Sequence, residues 1–246
     1  MSARVVLLHG FTGSPASWAP VLELLEPDID AYVPALTGHG AETEAVDFLD
    51  EVTRLNAGVG AWRAEHAVHL AGYSLGARIA LAMAIEQPAA YASVTLIGVN
   101  PGPRSESERS ERRAADAKWI ELLEHGVEPF VDEWERLPLW ASQARLPRTV
   151  RSAQREARLM HEPKGLQASL RATGLAEMPD LRTRLPELRV PVTLLAGEED
   201  PKFLALAREA AALLPHARVV AVPDAGHNLL LERPEAVAEE LNRNIR

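Results

Sequence analysis

Gly72-Tyr73-Ser74-Leu75-Gly76 is a G-x-S-x-G pentapeptide, with the apolar run Ala67-Val68-His69-Leu70-Ala71 before it and the helical pattern Ala77-Arg78-Ile79-Ala80-Leu81-Ala82-Met83 after it. A serine at such a strand-to-helix turn is a nucleophile elbow. The glycines answer a steric demand: the turn is tight, and a Cβ beside the serine would strike the neighbouring strand or helix. The turn holds the hydroxyl at the carboxyl edge of a sheet, over the positive end of the following helix. The plainer alternative is a glycine-rich helix start with a serine cap.

A serine hydroxyl needs a histidine to take its proton, and the histidine needs an orienting carboxylate. Working outward from Ser74, the chain supplies both in the order serine, aspartate, histidine. Val192-Thr193-Leu194-Leu195-Ala196-Gly197 reads as a buried strand, and Glu198-Glu199-Asp200-Pro201 follows its end. Pro201 suits the first turn of a helix over 203–214. Residues 219–223 read as the next strand, with Asp224-Ala225-Gly226-His227-Asn228 after it. Ser74, Asp200 and His227 are therefore expected on one sheet edge, in the order found in the α/β-hydrolase fold.

Glu198 and Glu199 are read as facing solvent or opening a helix, and Asp224 as shaping the turn before His227. His66, His69, His125, His161 and His216 have no motif around them and read as surface or packing residues. His39, in Gly38-His39-Gly40, reads as structural. Val5-Val6-Leu7-Leu8 forms a short apolar strand ending in His9-Gly10-Phe11-Thr12-Gly13. In this fold such a loop supplies one oxyanion-hole N–H, and the residue after the nucleophile supplies the other, which points to Phe11 and Leu75. An ordinary turn is the competing reading of the loop.

With 246 residues the chain can hold a large core. No apolar run approaches ~18 residues, so no membrane span is expected. The N-terminus enters a strand at once, which leaves no room for a signal peptide and makes the cytoplasm the expected compartment. The absence of cysteine excludes disulfides and thiolate chemistry. A formal net charge of −9 argues against nucleic acid as a partner.

Residues 1–100 and 190–246 alternate strand-like and helix-like segments, as βαβ units do. The expected fold is α/β: a mostly parallel central sheet flanked by helices, with residues 101–189 inserted as a helical cap. Amphipathic helices are predicted near 106–125, 127–134, 147–160 and 166–176. The segment 104–189 carries 16 of the 26 Lys and Arg against 15 Asp and Glu, a net of +1, while the rest of the chain is at −10. Most of these arginines read as solvated helix faces with i,i+4 partners. Any that point inward under the cap would favour a substrate bearing carboxylates, because guanidinium binds carboxylate bidentately. Arg78, one helical turn after Ser74, is a candidate for that role; its spacing equally permits a surface ion pair.

Longer motifs carry a family resemblance. The elbow through Arg78, the loop Leu8-His9-Gly10-Phe11-Thr12-Gly13-Ser14 with Trp18, and Asn100-Pro101-Gly102 before Arg109-Ser110-Glu111-Arg112-Arg113 with Asp116 and Trp119 belong to it. So do Phe130-Val131-Asp132-Glu133-Trp134, Pro138-Leu139-Trp140-Ala141, Arg158-Leu159-Met160-His161, Lys164-Gly165-Leu166 and Ser169-Leu170-Arg171. Gly197-Glu198-Glu199-Asp200-Pro201-Lys202-Phe203 and Ala225-Gly226-His227-Asn228 complete it. Together they resemble the 2-succinyl-6-hydroxy-2,4-cyclohexadiene-1-carboxylate synthases (MenH-type) of menaquinone biosynthesis. The resemblance covers almost the whole chain, and its cap motifs are the specific part.

The resemblance implies an elimination: pyruvate leaves a cyclohexene carboxylate that carries succinyl and enolpyruvyl groups. It implies that Ser74, assisted by His227 and Asp200, abstracts a substrate proton, and that the oxyanion hole stabilises the enolate-like charge. It places Tyr73, Arg78, Arg112, Trp134 and Arg158 around a small polycarboxylate substrate, with no metal or organic cofactor. Three positions depart from the family pattern. Ala77 stands for a second glycine, Leu36-Thr37-Gly38-His39-Gly40 lacks the usual proline, and Leu229-Leu230-Leu231 replaces polar residues. A serine carboxylesterase with the same three residues is the second reading. A non-catalytic α/β-hydrolase-like binding module is the third, and the complete serine, aspartate, histidine order argues against it.

Overall fold

The computed structural model describes residues 3–41, 45–63 and 68–246. His66, read above as a surface or packing residue, and Ala67, at the head of the strand before the elbow, lie outside them. The sheet contains β1 (Ala3–Leu8), β2 (Ile29–Tyr32), β3 (Val68–Tyr73), β4 (Tyr91–Ile97), β5 (Val192–Gly197) and β6 (Ala217–Val222), in the spatial order β2-β1-β3-β4-β5-β6. Every pairing among the described residues is parallel, so the expected "mostly parallel" sheet is here wholly so. Parallel strands are covered on both faces, which is why β3, β4 and β5 read as near-continuous apolar runs.

The strand order places the site. From β1 the chain steps outward to β2, then returns to the other side of β1 with β3. In open α/β sheets the ligand crevice lies outside the carboxyl ends of the strands at such a reversal. The register pairs Leu8 with Gly72, so the loop after β1 and the turn after β3 leave the sheet side by side.

Helices cover both faces. On one side α2 (Phe48–Arg63), α3 (Leu75–Glu86) and α8 (Pro201–Leu213) pack around Leu8, Phe48, Leu55, Leu70, Ile79 and Met83. On the other, α1 (Ala19–Leu22), α9 (Leu229–Glu232) and α10 (Pro234–Ile245) pack around Trp18, Leu7, Leu195, Leu229 and Leu241. Full burial of one such side chain contributes roughly 1.5–3 kcal/mol.

Between β4 and β5 run α4 (Glu106–Glu124), α5 (Val127–Glu135), α6 (Arg148–Leu159) and α7 (Pro163–Thr173). These match the four predicted helices, but the segment expected over 166–176 starts at Pro163 and passes after Thr173 into a short 3-10 turn, Leu175–Glu177. The sequence reading also lacked the 3-10 segment Pro138–Arg145. A three-residue period does not produce the 3.6-residue amphipathic signal. The insertion has a small core of its own, Leu123, Phe130, Val131, Leu166 and Leu170, and Phe11 of the loop after β1 packs into it.

Candidate active site

Ser74 is positioned by backbone strain held from several sides. It has φ 52° and ψ −106°, a region that side-chain-bearing residues rarely enter. Such a conformation costs on the order of 1–3 kcal/mol. Ser74 N–H donates to Ile97 O at 2.8 Å, and Ser74 O accepts from Arg78 N–H at 3.1 Å, opening α3. The glycines permit the approach. A Cβ on Gly72 would lie 2.2 Å from Gly76 O, and one on Gly76 would lie 2.2 Å from Leu8 O.

Asp200 follows β5 and caps α8, its Oδ1 accepting from Phe203 N–H at 3.3 Å. Its Oδ2 lies 2.7 Å from His227 Nδ1. A carboxylate only accepts, so the imidazole proton sits on Nδ1, and the lone pair of Nε2 faces Ser74 Oγ at 3.0 Å. Asp200 and His227 are buried, at 7% and 3% exposure. The competing carboxylates lie elsewhere. Glu198 and Glu199 are exposed, and Glu199 pairs with Arg145 at 2.9 Å. Asp224 occupies a positive-φ turn position and faces Arg233.

The loop after β1 is braced by two histidines. Leu36 N–H donates to His9 Nε2 at 3.2 Å, and His9 Nδ1 donates to Gly10 O at 2.9 Å. Thr12 N–H donates to His39 Nε2 at 3.1 Å, and His39 Nδ1 donates to Thr37 O at 3.0 Å. Both rings are neutral: burial pushes His9 down to about 4 and His39 well below the usual histidine range. His161 stacks edge-on against His39 with ring centroids 5.2 Å apart, linking the insertion to the loop. With the loop so held, the N–H groups of Phe11 and Leu75 take no acceptor among the described residues. Leu75 is the first residue of α3, where the helix leaves its amides unpaired. His69 bonds Ser93 at 2.8 Å, while His125 and His216 are exposed.

A cavity of about 120 Å³ is lined by Ser74, Leu75, His227, Phe11, Arg78, Arg112 and Trp134. An adjoining cavity of about 200 Å³ shares Phe11, Tyr73 and Trp140 with it and is lined by Arg158. The predicted arginines thus divide, two beside the serine and one next door.

Arg78 reaches Thr173 O at 3.0 Å and has no carboxylate partner among the described residues. Part of its surface opens to the cavity, yet its guanidinium is withdrawn from bulk water. Burial, followed by the charge of Arg112, pushes it down to about 9. The surface ion pair that its spacing permitted does not form. Arg112 is held by Asp116, at 2.7 and 3.0 Å. Arg158 is buried, pairs with Glu135 at 2.8 Å and lies over the Trp140 ring at 5.3 Å. Tyr73 is buried beside His227, and burial raises its phenol above the ordinary range, so it is neutral. Trp134 packs on Phe11 and stacks on Phe130.

Sequence reasoning assigned no role to Asp116, Glu135, Trp140 or Glu232, nor to Lys202, which lines the cavity beside Ser74. Asp116, four residues after Arg112 on one helix, could have been found by its spacing. Glu135 could not, because its partner is 23 residues away. Among the described residues, no cluster of three or more His, Asp or Glu could hold a metal, and no helix is long and apolar enough to cross a membrane.

With this geometry in view, the comparisons with known proteins are specific. The model of the Alpha/beta hydrolase family matches residues 5–240. A Bacillus subtilis (strain 168) protein, provisionally named as a 2-succinyl-6-hydroxy-2,4-cyclohexadiene-1-carboxylate synthase, is 38% identical over 95% of this chain and 86% of its own. The Salmonella typhimurium (strain LT2) protein of that name is 36% identical over 98% of this chain and 93% of its own. A solved structure of MenH from S. aureus superposes with a TM-score of 0.94 at 30% identity, covering 99% of this chain and 93% of that one. The chain belongs to the alpha/beta hydrolase family and, within it, to the 2-succinyl-6-hydroxy-2,4-cyclohexadiene-1-carboxylate synthases.

Proposed function

We propose that this protein is a carbon–oxygen lyase of menaquinone biosynthesis. It converts 2-succinyl-5-enolpyruvyl-6-hydroxy-3-cyclohexene-1-carboxylate into 2-succinyl-6-hydroxy-2,4-cyclohexadiene-1-carboxylate and pyruvate. The locants define the chemistry. The ring loses a proton at C2 and the enolpyruvyl oxygen at C5, and one double bond between C3 and C4 becomes two, C2–C3 and C4–C5. The C2 proton is acidified by the succinyl ketone, whose oxygen takes the charge as the proton leaves.

Ser74 Oγ removes that proton while its own passes to His227 Nε2, and Asp200 holds the imidazole in the required tautomer and balances the imidazolium. The N–H groups of Phe11 and Leu75 receive the developing enolate oxygen. The electron pair then moves through the ring and breaks the C5–O bond. The leaving enolpyruvate regains a proton and becomes pyruvate. No cofactor enters this scheme. Residues 1–100 and 190–246 act as the reactive core and 101–189 as its cap. Arg78, Arg112 and Arg158 bind the carboxylates, with Tyr73 and Trp134 as walls. A chain without cysteine needs no oxidising compartment, and we place the enzyme in the cytoplasm.

The observation that carries this reading is Arg78: a desolvated guanidinium beside the nucleophile, next to a second arginine and without a carboxylate of its own. Such a site is built for an anionic substrate, and a neutral ester would leave the charge unanswered. The test is incubation with the enolpyruvyl cyclohexene substrate, with pyruvate followed by a coupled reductase. One pyruvate per diene formed is expected. Turnover of simple esters with no pyruvate release would return the protein to the carboxylesterases.

A further inference from the structure

The histidine that faces Ser74 is gripped by a second carboxylate. Glu232, in α9, is buried at 7% exposure. Its Oε2 accepts the N–H of Gly226 at 2.8 Å and its Oε1 the N–H of Asn228 at 3.1 Å. These are the peptides immediately before and after His227. Among the described residues Glu232 forms no direct ion pair; Arg145 and Arg233 line the same cavity, while its two oxygens are taken up by those two amides. From the other side the insertion presses on the same loop: a Cβ on Gly226 would lie 2.1 Å from Ser142 Oγ.

Both oxygens are thus spent on the peptides that flank the imidazole, a pairing that a cap for a short helix does not require. What this location requires is two acceptor oxygens on one rigid group. A glutamine is the same size but offers one oxygen and one NH₂, and the NH₂ would face a second donor. We infer that Glu232 is a positioning residue for His227, fixing the backbone on both sides of the imidazole so that Nε2 stays in line with Ser74 Oγ. Asp200 orients the ring, and Glu232 fixes the peptide that carries it. Around the ring the fit is close: Phe203 packs at 4.3 Å between centroids, and a Cβ on Gly98 would lie 2.8 Å from His227 Cε1. A shift of the His227 backbone would have to be taken up by the Nε2–Oγ contact.

The inference rests on the reading of Ser74, His227 and Asp200 as the reactive unit, and its test has one arm that does not use the natural substrate. Diisopropyl fluorophosphate phosphorylates an activated serine. The Oγ–P bond forms, the P–F bond breaks with loss of fluoride, and the serine proton passes to the histidine. Glu232→Gln should lower kcat for pyruvate release roughly ten- to hundredfold, the range expected for a sub-ångström to 1 Å misplacement, with KM within about twofold of the unaltered enzyme. Its labelling rate should fall by the same factor at a temperature where the variant is fully folded. Glu232→Asp keeps both oxygens but is one methylene short, and gives the same reading if the glutamine variant does not fold. Labelling and kcat within twofold of the unaltered enzyme, with only the melting temperature lowered, would reduce Glu232 to a helix cap and overturn the inference. If the unaltered enzyme labels but releases no pyruvate, the lyase reading fails and the labelling comparison still decides the role of Glu232.

Discussion

The carboxyl edge of the sheet and the helical insertion build their halves of the site by different means. At the edge, Ser74, Asp200 and His227 are held by backbone: a positive-φ turn, a helix cap and a loop whose amides are tied on either side. In the insertion, Arg112 and Arg158 are aimed by side-chain ion pairs with Asp116 and Glu135. Backbone restraint fixes a reacting atom to fractions of an ångström. Ion pairs aim charge and can exchange one carboxylate for another. The first device suits a proton transfer and the second suits binding a polycarboxylate, and substitutions should separate them.

The largest effect is expected at the edge. Ser74→Ala, His227→Ala and Asp200→Asn should each lower kcat by roughly 10³-fold or more, and pairs should fall far short of additive, as expected of groups that act as one unit. Steady-state kinetics on single and double variants checks this. Near-full activity in Asp200→Asn would move the orienting role to another carboxylate and break the contrast.

Next come the arginines. Replacing Arg78, Arg112 or Arg158 by Ala should cut kcat/KM for the polycarboxylate about 10- to 150-fold, the equivalent of ~1.5–3 kcal/mol for a charge-assisted hydrogen bond. Any turnover of a small neutral ester should change far less. Lys at these positions should restore part of the loss, because an ammonium lacks the bidentate fork. Equal losses on both substrates in Arg112→Ala and Arg158→Ala would mean that the insertion acts on the chemistry and not on binding.

The smallest effect on activity is expected at the brace beneath the loop, which should show in stability instead. His9 is held neutral in the fold, down to about 4 against 6.5 unfolded, and His39 is displaced in the same direction. Below pH 6.5 the unfolded chain therefore binds more protons than the native one. Stability contributed by these rings is complete above that pH and declines as pH falls toward 4, by up to about 1.4 kcal/mol per unit for each ring. Thermal melts between pH 7.5 and 5 should show a falling Tm, and His39→Gln should flatten part of the slope. A flat profile in the unaltered protein would contradict the neutral brace.

Much of the edge was legible in the sequence because its signals are local. Gly72 and Gly76 mark a turn that admits no Cβ, and Asp200 and His227 each follow an apolar strand within a few residues. The insertion was legible in outline, through helical periodicity and its surplus of arginines. Its long-range pairings were not, since Arg158 finds Glu135 across two helices and a 3-10 segment. The divided cavity was hidden for the same reason, as Trp140 lies in that 3-10 segment, which has no 3.6-residue pattern to read. Glu232 was given no role, because nothing in its neighbours reveals that its carboxylate folds back onto the His227 loop.

The central claim is that Ser74 acts as a base and not as a nucleophile toward its natural substrate. Rapid-quench intact-mass measurement during turnover addresses it directly. The account predicts unmodified protein at every time point while pyruvate accumulates. An adduct of substrate-derived mass on Ser74, formed and consumed at the rate of turnover, would contradict it.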